Sequence, residues 1–178
     1  YGLTGEGFAW GAVFEDLNLD GRLDLFVAQN YIKWPLHKWF KLSGRTYLQS
    51  VEDGVGTFQH TPALGMENRH FGQSPLIVDL DGDGRQDLLW LNIDGPVRGF
   101  LNTAPGNYIT IVVPDTVASL GTRISIETDH GTSYTRTVIG SVGMLTDHTP
   151  ELTFGLGRLE RIRRAVIQRP NGHTEIIS

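Results

Sequence analysis

Two nine-residue stretches decide the fold: Asp16-Leu-Asn-Leu-Asp-Gly-Arg-Leu-Asp24, here called loop 1, and Asp79-Leu-Asp-Gly-Asp-Gly-Arg-Gln-Asp87, here called loop 2. The first begins at residue 16 and the second at residue 79, a spacing of 63 residues. A short run of apolar and β-branched residues precedes each loop and another follows it, whereas the loops carry glycine. Each copy therefore predicts a strand, an acidic loop and a second strand.

The side chains of the two loops predict an oxygen-rich metal site. Aspartate or asparagine stands at positions 1, 3, 5 and 9 of each loop, and the glycine at position 6 permits a sharp turn. Position 7 can add its backbone carbonyl. The candidate ligands are Asp16, Asn18, Asp20, Arg22 and Asp24 in loop 1, and Asp79, Asp81, Asp83, Arg85 and Asp87 in loop 2.

Calcium is the metal that this pattern favours. Several oxygen ligands from one flexible loop suit its large, irregular coordination shell better than that of magnesium, and zinc would prefer histidine or cysteine. A helix-flanked EF-hand would need glutamate at position 12, where the chain has Val27 and Trp90. We therefore expect two calcium sites in β-hairpin loops, with a pair of solvated turns as the alternative. Loop 2 has four carboxylates against three in loop 1, so we expect it to bind more tightly.

The composition agrees with turn-rich β-structure. The chain has 178 residues, of which 39% are hydrophobic, with 22 glycines and 8 prolines. The absence of cysteine excludes disulfides and thiolate metal sites. The net charge of the chain is −5, and the two loops contain seven acidic residues, so the rest of the chain would carry +2. This small charge gives little support to a nucleic-acid partner. No apolar run is long enough for a transmembrane segment.

The chain divides into two predicted parts. Residues 1–104 contain both acidic loops, with an insert at about 30–70, and residues 105–178 contain short strands separated by polar turns. We expect an all-β fold: two β-propeller-blade-like calcium hairpins followed by a small antiparallel β-sandwich. The predicted strands of the second part are Tyr108–Val113, Arg123–Thr128, Tyr134–Ile139, Glu151–Phe154 and Ala165–Gln168.

Two further segments have two interpretations each. The insert opens with an aromatic and basic stretch, residues 31–41, that includes Trp34 and Trp39. It could contact a partner, a glycan or a membrane surface, or it could be a loop that covers a blade edge. The arginines at 158, 161, 163 and 164 could bind an anionic partner, or they could form the solvated face of an ordinary strand.

Enzyme function is not expected. The six histidines are scattered without metal-ligand spacing, and no nucleophile elbow, phosphate loop or dinucleotide motif occurs. Asp147 and His148 form an acid–imidazole pair, but the sequence supplies no nucleophile beside it.

Both parts resemble known families. The segments Phe8–Asp16 and Asp20–Val27 resemble FG-GAP/VCBS repeats, the blade units of integrin-type β-propellers. Asn107–Ile111, Leu120–Ile126, Phe154–Gly157 and Arg169–Gly172 resemble the ASPIC/UnbV domain of cartilage-acidic-protein-like proteins, although that family usually has tryptophan where this chain has Arg169.

The resemblance implies an extracellular, calcium-binding, non-enzymatic interaction module, with the aspartates of both loops and Asn18 as ligands. A propeller needs about four to eight blades, and this sequence contains two. We therefore expect either part of a longer protein or self-assembly through open blade edges. An adhesion module for carbohydrate or a cell-surface ligand is the alternative. Since the chain begins with Tyr1, we expect a mature secreted protein or a fragment.

Overall fold

The computed structural model describes residue 3, residues 8–30 and residues 42–178. Within these ranges the chain consists of β-strands joined by turns, with two three-residue 3-10 turns at Pro62–Leu64 and Val117–Ser119. None of the helical segments in these ranges has the length and apolar character needed to cross a membrane. The predicted all-β fold is confirmed. The aromatic and basic stretch with Trp34 and Trp39 lies outside the described residues.

The first sheet contains loop 1 and four strands. All neighbouring strands are antiparallel, in the order β1 (Phe8–Glu15), β2 (Asp24–Asn30), β3 (Arg45–Glu52), β4 (Val55–His60). Loop 1 joins β1 to β2 as predicted, and the partners Glu15 and Asp24 close the hairpin. β3 and β4 are joined by Asp53 and Gly54, both with positive φ (51° and 77°), which suits a tight hairpin turn.

The interval predicted as an insert therefore contains two strands of this sheet. β2 is buried along almost all of its length, with the pattern Asp-Leu-Phe-Val-Ala-Gln-Asn. A buried strand needs partners for the backbone groups on both of its edges, and β3 supplies the second partner. The hairpin that was predicted is thus half of a four-stranded sheet.

The second sheet repeats the strand, loop and strand order around loop 2. Its strands are β5 (Gly72–Val78), β6 (Asp87–Asn92) and β7 (Arg98–Phe100), in that order. Trp90 is fully buried, and its Nε1 donates a hydrogen bond to the Met66 carbonyl at 2.7 Å. β5 packs against β1 and β2. The buried residues shared by the two sheets are Val13, Leu17, Phe26, Ala28, Ile77, Leu88 and Trp90.

The remaining strands, β8 to β13, form two antiparallel sheets that we call the C-terminal sandwich. β8 (Asn107–Val112) pairs with β11 (Glu151–Gly157), and the other sheet has the order β10 (Ser133–Thr137), β9 (Arg123–Thr128), β12 (Ile162–Gln168), β13 (Thr174–Ile177). The core between them contains Val113, Ile124, Ile126, Val138, Phe154, Leu156, Ala165 and Ile167.

All five predicted C-terminal strands are present, with ends that differ by a few residues. β13 was not predicted, because all four of its side chains are exposed and give no pattern of alternating burial. The boundary predicted between residues 104 and 105 stays a prediction.

Candidate metal centres

The two acidic loops share the same internal hydrogen bonds. The carboxylate at position 1 accepts the N–H of the glycine at position 6, at 2.7 Å from Asp16 Oδ2 to Gly21 N and at 2.9 Å from Asp79 Oδ2 to Gly84 N. Both glycines have φ near +90°, a conformation that other residues rarely adopt. The predicted curl of the loops is therefore present in both copies.

The carboxylate at position 5 is held by the arginine at position 7. Asp20 and Asp83 each accept the backbone N–H of that arginine at 2.8 Å. The guanidinium Nη1 also contacts the same carboxylate, at 3.2 Å for Arg22 and 2.5 Å for Arg85. The N–H and guanidinium of Arg85 lower the pKa of Asp83. The sequence predicted only a carbonyl from these arginines, so their guanidinium contacts are a new feature of both sites.

Loop 2 brings three carboxylates together. One oxygen each from Asp79, Asp81 and Asp87 lies within 4.8 Å of the others, and the described part of the chain contains one such group. Asp87 is buried and its orientation is fixed, because its oxygens accept the N–H groups of Leu80 at 2.8 Å and Asn102 at 2.6 Å. Asp83, the fourth predicted carboxylate, lies outside this group and is paired with its arginine.

Loop 1 buries its carboxylates more deeply. Asp24 is 0% exposed, and its Oδ1 accepts the N–H of Gln49 at 3.1 Å, whereas its Oδ2 has no hydrogen-bond partner. Burial raises the pKa of Asp24 to about 7; the charges of Asp16 and Asp20 add to that rise, and the nearby N–H groups of Gln49 and Asn18 oppose it. The pKa of Asp16 is also raised by burial. A buried, unpartnered carboxylate oxygen beside two other carboxylates fits a bound cation, which would compensate its lost hydration.

The amide of Asn18, a predicted ligand, turns toward its own loop. Its Oδ1 accepts the N–H of Asp20 at 3.1 Å, and that N–H also lies 3.0 Å from Asp16 Oδ1. The structure thus brings Asn18 next to the other candidates of loop 1, with its oxygen engaged by the backbone.

Asn102 links the two loops and was missed by the sequence reasoning. Its Nδ2 donates to the Leu17 carbonyl at 2.9 Å and to the Gln86 carbonyl at 3.0 Å. Its own N–H donates to Asp87, as described above. No local sequence pattern indicates this role, because Asn102 belongs to neither acidic loop.

A segment of the C-terminal sandwich touches loop 1. The N–H of Gly155 donates to Asp16 Oδ2 at 3.0 Å, and the N–H of Gly157 donates to the Leu19 carbonyl at 2.8 Å. Both glycines belong to Phe154-Gly-Leu-Gly157 in β11. This is one of the four segments whose sequence resembles the ASPIC/UnbV domain.

Residues 114–178 match the family ASPIC and UnbV. The match contains β9 to β13, and we call these residues the ASPIC/UnbV-like part. β8 ends just before the match begins, and both acidic loops lie outside it. The search of curated proteins found no match. The resemblance of the loops to FG-GAP/VCBS repeats stays a prediction.

Three of the four arginines in the cluster of the ASPIC/UnbV-like part are paired with acidic side chains. Arg163 and Arg164 contact Glu127 at 3.2 Å and 2.7 Å, and Arg161 contacts Asp129 at 3.3 Å. These pairs join β12 and the residue before it to β9 and its adjoining turn at the surface. They favour the interpretation of a solvated strand face over a site for an anionic partner.

A cleft of about 360 Å³ lies between β1 and the ASPIC/UnbV-like part, lined in part by Glu15, Arg136 and His148. Burial raises the pKa of Glu15 to about 7, while the N–H of Asp16 and the charge of Arg136 oppose the rise. Burial also lowers the pKa of His148. The sequence identified Asp147 and His148 as an isolated pair. Glu15, which is half-buried, was not among the sequence candidates, because the segments that pack around it are distant in the chain.

Proposed function

We propose that this chain is a secreted, calcium-binding structural or interaction protein in which one ion in each acidic loop stiffens a β-hairpin. The observation that carries the proposal is the group of Asp79, Asp81 and Asp87, whose oxygens lie close enough to share one ion. The unpartnered Oδ2 of Asp24 supports the same role for loop 1.

The donor set favours calcium. Loop 1 offers carboxylate, amide and carbonyl oxygens, and loop 2 offers carboxylate and carbonyl oxygens. Such donors suit hard cations rather than zinc or copper. The loops are short and glycine-bearing, and such flexible frames accommodate the irregular shell of calcium better than the strict octahedron of magnesium. Extracellular calcium would keep even sites of millimolar affinity occupied, which is consistent with the proposed secretion.

Calcium would act by stabilising the folded state. Carboxylates crowded into nine residues repel one another, and a divalent ion removes that repulsion. An ion that binds only the folded chain stabilises it by about 2.7 kcal/mol per site at a hundredfold excess over the Kd. The role is structural, and the absence of enzyme activity stays a prediction.

Isothermal titration calorimetry tests the proposal. We expect two calcium ions per chain, with Asp81→Asn weakening the loop 2 site and Asp24→Asn weakening the loop 1 site. Asp115→Asn is the matched control, because Asp115 is exposed and far from both loops in sequence. The titration also tests the prediction that loop 2 binds more tightly. Absence of calcium binding, or equal effects of all three substitutions, would contradict the proposal.

Self-assembly is part of the proposed structural role. β4 and β7 are end strands of their sheets in the described structure, and end strands present backbone groups that can pair with another copy. Light scattering with calcium and with chelator tests this role. We expect larger particles in calcium, and a particle size that is the same in both conditions would contradict it. The adhesion alternative depends on Trp34 and Trp39, outside the described residues, and a glycan array would test it.

A further inference from the structure

The acidic loops contact the C-terminal sandwich directly, and loop 1 does so through its backbone and its first ligand candidate. Asp16 Oδ2 and the Leu19 carbonyl accept the N–H groups of Gly155 and Gly157, at 3.0 Å and 2.8 Å. Leu19 is fully buried and has φ of 60°, which is uncommon for a residue other than glycine. The sandwich therefore contacts loop 1 at a buried residue whose backbone conformation is uncommon.

The contact leaves no space for a side chain at residue 155. A Cβ on Gly155 would lie 2.3 Å from Asp16 Oδ2 and 2.3 to 2.4 Å from backbone atoms of Leu19. These distances are far below van der Waals contact, and the Leu19 backbone could not move away without changing the loop. Glycine at this position is thus a condition for the observed packing of β11 on loop 1.

Loop 2 makes an independent contact of the same kind. The hydroxyl of Tyr108 in β8 donates to the Asp83 carbonyl at 2.6 Å, and the Arg85 guanidinium lies 5.9 Å from the centre of the Tyr108 ring. The glycine at position 6, Gly84, lies directly against that hydroxyl.

Loop 1 presents its own position 6 glycine to a tyrosine in the same way. Gly21 lies against the ring of Tyr134 in β10, and its carbonyl accepts Arg136 Nη2 at 3.2 Å. Both loops thus present position 6 to a tyrosine of the C-terminal sandwich, although the tyrosines come from different strands.

We propose that the two acidic loops are the docking surface for the C-terminal sandwich, and that cation binding and docking strengthen each other. This inference rests on the proposed function, because it assigns a partner to the same loops. The acceptors that the sandwich uses, Asp16 Oδ2 and the Leu19 and Asp83 carbonyls, belong to the loops that the ion would fix. The N–H of Gly155 in turn orients the first ligand of loop 1. By linkage, each event raises the affinity of the other by the same factor.

Amide hydrogen exchange of the intact chain, followed by NMR in calcium and in EGTA, tests the coupling. The N–H groups of Gly155 and Gly157 report docking, because they donate to loop 1. Those of Ile124 and Ile126 report the core of the sandwich itself. We expect calcium to slow exchange at the two glycines by about tenfold or more, and to slow it less at the two isoleucines.

Two pairs of variants test the reverse direction by calorimetry. Gly155→Ala is expected to weaken calcium binding at loop 1 by about tenfold, a typical size for coupling between sites. Gly56→Ala is its control, because the nearest atom to a Cβ there is 3.7 Å away. If Gly155→Ala does not fold, Tyr108→Phe serves as the second test, and it is expected to weaken calcium binding at loop 2 several-fold. Its control is Tyr134→Phe, since no described hydrogen bond involves the Tyr134 hydroxyl.

The outcomes separate this inference from the proposed function. Calcium binding with unchanged exchange at Gly155 and Gly157, and with variants that titrate like their controls, would overturn the coupling and leave the calcium sites in place. Absence of calcium binding to the intact chain would overturn both.

Discussion

Replacing Asp24 by asparagine is expected to stabilise the protein without calcium and to destabilise it with calcium. Asp24 is completely buried at the start of β2, where Oδ1 accepts a backbone N–H and Oδ2 has no hydrogen-bond partner. Burial and the neighbouring charges of Asp16 and Asp20 raise its pKa to about 7. Asparagine keeps an acceptor for the N–H of Gln49 and removes the charge, and its amide can donate toward the neighbouring carboxylates.

The size of the effect follows from the pKa. Its rise from the ordinary value of 3.8 to about 7 spans roughly three units, and each unit corresponds to about 1.36 kcal/mol. Between these two pH values the unfolded chain has released the proton while the folded chain retains it, so stability falls as the pH rises. At pH 8 the full cost of about 4 kcal/mol is present. Relaxation of the loop reduces it, so we expect Asp24→Asn to gain about 1–3 kcal/mol in EGTA.

Urea denaturation at pH 8, in EGTA and in excess calcium, measures both effects. In calcium the variant lacks one charged ligand, so its free energy of unfolding is expected to fall below that of the wild type. Asp115→Asn, at an exposed position, should change neither value. A variant that is destabilised by the same amount in EGTA and in calcium would contradict this prediction, because Asp24 would then act only through its hydrogen bond to β3.

Three further predictions concern the surroundings of the loops. Asn102→Ala removes the donors to the Leu17 and Gln86 carbonyls. Urea denaturation is expected to show a free energy of unfolding lower by about 1–3 kcal/mol, and an unchanged value would mean that Asn102 does not stabilise the contact between the loops. Arg85→Gln releases the carboxylate at position 5 of loop 2 and should raise calcium affinity several-fold by calorimetry; weaker binding would mean that the guanidinium helps to form the site. Burial lowers the pKa of His148, so the contribution of its neutral form to stability is present above about pH 6.5 and is lost as the pH falls. The difference in free energy of unfolding between wild type and His148→Gln should therefore shrink from pH 7 to pH 5. A difference that stays constant would contradict this.

Much of the fold could be predicted from local pattern. The strands beside each loop have apolar and β-branched residues, and the loops between them are marked by acidic spacing and glycine. β3 and β4 were assigned to an insert because they contain no copy of the loop motif, although β2 needs a partner on its second edge. β13 escaped prediction because it buries no side chain.

The candidate site was likewise predictable only in part. The ligand candidates follow from spacing within nine residues, and the structure brings Asp79, Asp81 and Asp87 together as expected. The contacts that hold the loops could not follow from spacing, because they join distant residues. Asn102 lies 85 residues from Leu17, and Gly155 lies 139 residues from Asp16. Such contacts depend on how the sheets pack, which no local sequence signal specifies.

Anomalous diffraction from crystals grown in calcium tests directly whether both acidic loops bind the ion. We expect one calcium peak in each acidic loop, about 2.3–2.6 Å from oxygens that include those of Asp79, Asp81 and Asp87 in loop 2 and Asp24 Oδ2 in loop 1. Crystals in excess calcium that show no peak in either loop would contradict it.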